Sequence, residues 1–194
     1  MSARSVLVPL VVLLALAAAA ASAMLLHARA PADKAAEPGT PVTTSLGELQ
    51  AAADKADAPI YWAGTRPGDR FELTRTKGGR TYVRYLPPGV NAGDKRPAFL
   101  TVATYPQRRA YPVTEAASRR RGMVRRSTPG GGLAVWQRRN QRSVYLAYPG
   151  SDQLVEVFSP SADDARRLVL AGDVGPIGEV AASEPAPRRL VDPR

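Results

Sequence analysis

Residues 80–89 read RTYVRYLPPG and residues 142–150 read RSVYLAYPG, and the two stretches align with a one-residue gap. In each, alternating apolar residues indicate a β-strand, and the following Pro-Gly pair ends it. Each stretch follows a strand-like segment across a turn and precedes a third strand, a proline and a helix. The sequence therefore predicts two copies of a β-β-β-α unit. The alternative is coincidence, because hairpins followed by a strand and a helix are common.

The boundaries of both units come from the same patterns of alternation, turn residues and helix caps. The first unit is predicted to have strands over 71–76, 80–86 and 98–105 and a helix over 112–121, ended by Gly122. The second is predicted to have strands over 133–137, 142–148 and 154–158 and a helix from the cap Ser161 to Ala171, ended by Gly172.

Two such units would pair into one antiparallel sheet of about six to eight strands with helices on one face, an α+β fold. A further helix is predicted to begin after Ser45, since Ser45 and Glu48 form a capping-box pattern, and to run to about Ala56. We assign the α+β domain to residues 45–175. Residues 30–44, rich in Ala, Pro and Thr, are predicted to be a linker, and residues 176–194 a disordered tail.

The N-terminal segment is apolar, with 21 uncharged residues from Val6 to Leu26. This length suffices for a helix that crosses the hydrocarbon core of a bilayer. Residues 1–29 are therefore predicted to be a transmembrane helix anchoring the chain, with the domain outside the cytoplasm. The alternative is a signal peptide cleaved near Ala23, since Ala21-Ser22-Ala23 resembles a cleavage site; the protein would then be secreted.

The composition excludes several kinds of site. The chain of 194 residues has no Cys, and its one His, His27, lies at the edge of the N-terminal apolar segment. Disulfides, thiolate nucleophiles and cysteine-bearing metal sites are therefore excluded, as are histidine-based triads. No metal site or cofactor is predicted.

The positive charge is concentrated in the middle of the chain. The chain carries a net charge of +10, but residues 66–142 alone hold 18 basic and four acidic residues, a net of +14. Arginine suits phosphate and carboxylate because its planar guanidinium donates parallel hydrogen bonds. The densest groups are predicted to bind anions, and they comprise Arg119, Arg120, Arg121, Arg125, Arg126, Arg138, Arg139 and Arg142.

The candidate partners of these arginines are an anionic lipid and a cell-wall polyanion. Nucleic acid is disfavoured because no helix-turn-helix, RRM or KH pattern accompanies the charge. The alternative is that the arginines are solvated surface residues without a ligand. Arg outnumbers Lys 23 to 4 and Ala, Gly and Pro are abundant, as a GC-rich genome produces without selection on function.

No catalytic constellation is evident, and we expect a binding or envelope-associated module with no enzymatic activity. The acidic residues that could act as a carboxylate pair are scattered along the chain: Glu72, Glu115, Asp152 and Glu156. A carboxylate-based cell-wall hydrolase therefore stays an alternative. Another is a structural module that pairs with a membrane protein, whose identity the sequence does not indicate.

A resemblance to a known family covers about residues 59–175, and it rests on the strand segments IYWAG, FELTRT, YVRYLPPGV, LTVATYP, GGGLAVW, SVYLAYPGSD and VEVFSP. Together they resemble a family of membrane-anchored extracytoplasmic proteins of high-GC Gram-positive (actinobacterial) bacteria, to which no activity is attached. The resemblance implies a location and an architecture, and it implies no site residues.

Overall fold

The structure, a computed structural model, describes residues 39–68 and 70–179. The predicted anchor, the first part of the predicted linker and the tail from residue 180 lie outside the described residues. Within those two ranges, no helix combines the length and apolar character needed to cross a bilayer.

The fold is centred on an eight-stranded sheet in which every neighbouring pair is antiparallel, as predicted. Its spatial order is β1-β3-β4-β5-β9-β8-β7-β6, and a separate two-stranded sheet pairs β2 with β10. The strands are β1 Val42–Thr44, β2 Tyr61–Trp62, β3 Arg70–Arg75, β4 Thr81–Leu86, β5 Thr101–Pro106, β6 Met123–Ser127, β7 Leu133–Gln137, β8 Ser143–Ala147, β9 Gln153–Phe158 and β10 Gly175–Pro176.

The predicted repeat is present in the order of the elements. The first unit contains β3, β4, β5 and helix α2 (Ala110–Ser118), and the second contains β7, β8, β9 and helix α3 (Ala162–Ala171). The units meet at the centre of the sheet, where β5 pairs with β9 over six residue pairs, including Val102 opposite Val157. Outward from this pair, the order is β5-β4-β3 on one side and β9-β8-β7 on the other. The two halves therefore mirror one another in strand order.

Two helices begin at the caps expected from the sequence. Helix α1 (Leu46–Asp54) starts with a complete capping box, in which Ser45 Oγ accepts from Glu48 N and Glu48 Oε2 accepts from Ser45 N. Ser45 thereby holds the pKa of Glu48 below its ordinary value. Helix α3 starts at Ser161, whose hydroxyl accepts from Asp164 N, and ends at Gly172 in the left-handed conformation.

The prediction that the helices lie on one face of the sheet is wrong, because they cover both faces. Helices α1 and α3 pack on the face that carries Val83, Val102 and Leu146, called face A here. Helix α2 packs on face B, where Ala110 contacts the cluster that includes Ala147 and Leu154.

The burial of the second unit's strands explains this arrangement. Leu133 and Val135 of β7 lie on face B and are almost fully buried, while Ala134 and Trp136 are buried on face A. Strands that are apolar on both sides need cover on both sides. Helix α2 supplies it on face B as it connects central β5 to β6 at the far edge.

Strands β1, β6 and β10 were not predicted, and the shortest two, β1 and β10, correct the domain boundaries. Strand β1 lies in the range assigned to the linker, and β10 places Pro176, the first residue of the predicted tail, opposite Tyr61. Ile177 N also donates to Ile60 O. Segments of two or three residues are too short to show alternation, and only their partners make them strands.

A basic corner as the candidate functional site

The first part of the site is the turn after helix α2. The helix ends at Ser118, and the backbone closes on itself through a hydrogen bond from Met123 N to Arg120 O of 3.2 Å. Gly122 has a φ of 85°, a conformation that side-chain-bearing residues rarely adopt. This tight turn presents Arg119, Arg120 and Arg121 at one end of the sheet, where β6 begins.

The second part is the turn between β7 and β8, which carries Arg138, Arg139 and Arg142. Arg138 N donates to Gly122 O at 2.8 Å, so the two arginine-bearing turns are joined through the backbone. Gln141 Nε2 donates to Arg138 O at 2.8 Å, which holds the hairpin turn closed. Segments that are 17 residues apart in sequence therefore meet at one corner of the sheet.

The third part is edge strand β6, which the sequence analysis did not identify as a strand. Arg125 lies opposite Val135 and Arg126 lies opposite Ala134 in the register with β7. Because neighbouring side chains of a strand point to opposite faces, Arg125 is on face B and Arg126 is on face A. Both side chains are exposed.

We call the eight arginines of these three segments the basic corner, and they are the eight that the sequence predicted to bind anions. Seven are exposed and Arg120 is half-buried. The sequence contains no acidic residue between Glu115 and Asp152, so the whole stretch is positively charged. Arg119 forms an ion pair with Glu115 one helical turn away, with 3.4 Å between Nη2 and Oε1. Such an exposed pair contributes little to stability.

Some arginines elsewhere in the domain are paired with carboxylates. Arg66 and Arg167 both bind Asp164, at 3.1 and 2.7 Å. Burial raises the pKa of Asp164, but these two arginines lower it by more, so it lies below its ordinary value. Arg96 donates to Asp94 and holds the pKa of that carboxyl at about 2. These arginines are ones that the sequence analysis did not assign to the site.

The four candidate catalytic carboxylates do not form an exposed acid–base pair. Glu72 is 1% exposed, with Oε1 2.8 Å from Arg84 Nη1 and Oε2 accepting from Gly93 N at 2.7 Å. Glu156 is 4% exposed on β9. Glu115 pairs with Arg119, and Asp152 Oδ1 accepts from Arg109 N at the other end of α2.

A buried polar cluster surrounds Glu156 on face B, and the sequence analysis did not find it. Tyr105 Oη donates to Glu156 Oε2 at 2.8 Å, and Tyr82 packs edge-on against Tyr105 with 6.1 Å between ring centroids. Burial, and then the Glu156 carboxylate, raise the pKa values of Tyr105 and Tyr145 far above the ordinary one. These tyrosines therefore stay protonated and donate to the carboxylate. The sequence carried no signal for this cluster, because only the pairing of the strands places Tyr82, Glu156 and Tyr145 in one row across the sheet.

The described part of the chain contains no cluster of three or more His, Cys, Asp or Glu side chains that could hold a metal ion. The basic corner offers guanidinium groups, whose chemistry is hydrogen bonding and charge attraction to anions.

Comparison of the chain with protein-family models, curated proteins and solved structures found no match to any of the three.

Proposed function

We propose that this chain is a single-pass, N-terminally anchored membrane protein whose α+β domain lies outside the cytoplasm and binds polyanions without catalysing a reaction. The observation that carries the proposal is the hydrogen bond between Arg138 N and Gly122 O. It joins two arginine-bearing turns beside a third group of arginines on β6. Clustered guanidinium groups bind repeated phosphates or carboxylates more strongly than any one of them alone.

Anchoring and location rest on the sequence. The uncharged run from Val6 to Leu26 is long enough for a membrane-spanning helix, and the family that the chain resembles is membrane-anchored and extracytoplasmic. The test is protease accessibility of a C-terminal tag in intact spheroplasts. Digestion of the tag without lysis supports the proposed location, and digestion only after lysis contradicts it.

Binding is tested with long-chain inorganic polyphosphate as the probe and the full chain in detergent. The test variant is Arg119→Glu, Arg120→Glu and Arg121→Glu combined. Because a basic residue near an anionic surface contributes about 1 kcal/mol, losing three should weaken binding by about a hundredfold or more. Wild-type affinity should also fall as salt is added.

The matched control reverses three exposed lysines that lie outside the basic corner, Lys55, Lys77 and Lys95. It changes the net charge by the same amount, so it separates a local site from a general charge effect. Affinity close to that of the wild type is expected. Equal weakening in both triple variants, or binding that salt does not affect, would contradict a binding site at the corner.

A structural partner module is the second candidate, and the edge of the sheet favours it. Among the described residues, β1 ends the sheet and its outer side is unpaired, with Val42 58% exposed. An open edge can accept a strand from a partner. A membrane protein that co-purifies in detergent at high salt, and is lost when Val42 is replaced by Pro, would support this function.

A further inference from the structure

We propose that the ligand of the basic corner is a flexible linear polymer that carries phosphate groups and no nucleobases and lies away from the anchoring membrane, rather than the lipid surface of that membrane. This inference rests on the proposed function and specifies its ligand. It follows from two features of the corner, which are the directions of its arginines and its position relative to the point where the chain enters the domain.

The arginines of the corner point to both sides of the sheet. Arg125 and Arg126 are adjacent on β6 and extend from opposite faces, as their pairing with Val135 and Ala134 requires. The turn that carries Arg138 and Arg139 extends beyond the end of the sheet. A flat bilayer can contact one face or one end, but not both faces of an edge strand at once. A flexible chain can cross the edge and contact both.

The corner is also diagonally opposite the chain's entry into the domain. Gly39 N donates to Arg75 O at 3.1 Å, so the chain enters beside β1 at the end of the sheet where β3 finishes. Strand β6 is seven strand spacings away, about 34 Å at ~4.8 Å each. The corner is at the other end of the strands, beside Met123 and Gln137.

The proposed anchor joins the domain at this point of entry. Twelve residues separate Leu26 from Gly39. The corner therefore faces away from the host bilayer when the point of entry faces it.

The aromatic residues near the corner argue against single-stranded nucleic acid as the polymer. Proteins that bind it stack bases on exposed aromatic rings. Trp136, the aromatic residue of β7, is 6% exposed on face A, and no Tyr, Phe or Trp occurs from residue 112 to 135. Phosphate groups suit the planar guanidinium fork, which donates two parallel hydrogen bonds to them.

The experiment uses the full chain reconstituted into vesicles and fluorescent long-chain polyphosphate. The host vesicles are phosphatidylcholine alone or phosphatidylcholine with phosphatidylglycerol. We expect the same dissociation constant in both hosts, because the corner does not reach the host membrane. Weaker binding in the anionic host would mean that its lipids compete for the corner, and this would overturn the inference.

The matched variants are Arg125→Glu and Arg126→Glu, which make the same charge change on opposite faces of one strand. Each should weaken polyphosphate binding by about fivefold, because a basic residue near an anionic surface contributes about 1 kcal/mol. A large effect from one variant alone would indicate a flat ligand surface and overturn the inference. Tighter binding of oligothymidylate than of polyphosphate of equal charge would also overturn it.

The outcomes separate this inference from the proposed function. If polyphosphate does not bind in either host, or if reversing Arg119, Arg120 and Arg121 has no effect, the proposed function itself fails. A second outcome is that polyphosphate binds, but more weakly in the anionic host, or with an effect from only one of Arg125→Glu and Arg126→Glu. In either case the proposed function stands and the polymer inference fails.

Discussion

At the scale of single residues, the domain buries a carboxylate whose two oxygens both have hydrogen-bond partners. Glu72 is 1% exposed, and both carboxylate oxygens accept a hydrogen bond, one from Arg84 and one from Gly93 N. Arg84 also donates to Asp94 O at 2.6 Å and lies over the ring of Phe99. The pair thereby connects β3 and β4 to the loop before β5.

Replacing Arg84 by Met should lower the free energy of unfolding by about 3–5 kcal/mol, because it leaves the Glu72 carboxylate buried without its cation. The double variant Arg84→Met with Glu72→Leu should be more stable than Arg84→Met alone, since no charge then stays buried. Urea denaturation of the three variants and the wild type measures this cycle. A double variant whose loss equals the sum of the two single losses would contradict coupling.

Asp164 links stability to pH. Its folded-state pKa lies below the ordinary value because Arg66 and Arg167 stabilise the carboxylate. A carboxyl with a lowered folded pKa stabilises the fold above its unfolded pKa of about 4, and this contribution is lost as pH falls through the folded pKa.

We therefore expect Asp164→Asn to be less stable than the wild type at neutral pH. Its urea midpoint should also fall less than that of the wild type on acidification from about pH 5 to pH 2. Asp163→Asn is the control, because Asp163 precedes it on the same helix, is exposed and does not contact Arg66. Parallel pH profiles for the wild type and Asp164→Asn would be the contrary result.

At the scale of elements, some glycines have space for a side chain, and at others a Cβ would come too close to a neighbouring side chain. Gly47 lies in the first turn of α1, and a Cβ there would meet no atom within 4 Å. Gly132 immediately precedes β7, and a Cβ there would lie 2.8 Å from Tyr148 Cε1 and still closer to Thr128 Oγ1. Alanine should therefore have opposite effects at the two positions.

We expect Gly47→Ala to raise the free energy of unfolding by about 0.4–1 kcal/mol, because alanine restricts the unfolded chain and favours the helix. Gly132→Ala should lower it by about 1–3 kcal/mol, because Tyr148 and Thr128 must move. Urea denaturation of both variants under one set of conditions measures the difference. Equal effects of the same sign would show that the close approach at Gly132 does not constrain the fold.

At the scale of the whole molecule, the two repeated units are not independent. Strands β5 and β9 belong to different units and pair over six positions at the centre of the sheet. Helix α2 comes from the first unit but buries Ala110 against Ala147 and Leu154 of the second. Each unit therefore leaves apolar surface uncovered when the other is absent.

Separate fragments of residues 39–121 and 122–179 should each unfold without cooperativity, and an equimolar mixture should recover cooperative thermal unfolding. A second fragment carrying Val157→Asp is the control, because Val157 is fully buried opposite Val102 in the central pair. It should not restore folding on mixing. Cooperative unfolding of residues 39–121 alone would show that the first unit is an independent domain.

Local sequence patterns determined the elements whose stabilising contacts are local or periodic. The capping box of Ser45 and Glu48 and the left-handed Gly172 appear as predicted, since each cap involves neighbours within a few residues. The strands of both units were also predicted from alternation and turn residues. The repeat of RTYVRYLPPG and RSVYLAYPG thus gave the antiparallel α+β fold.

Only the tertiary structure decided what depends on contacts between distant segments. The face that α2 covers follows from apolar residues on both sides of β7, which strand alternation alone did not reveal. Strands β1, β6 and β10 exist because a partner strand completes their hydrogen bonds. The sequence located the arginines, whereas their convergence required β6 to pair with β7 and Gly122 to accept from Arg138. Charge is a property of each residue, but the shape of a charged surface is a property of the fold.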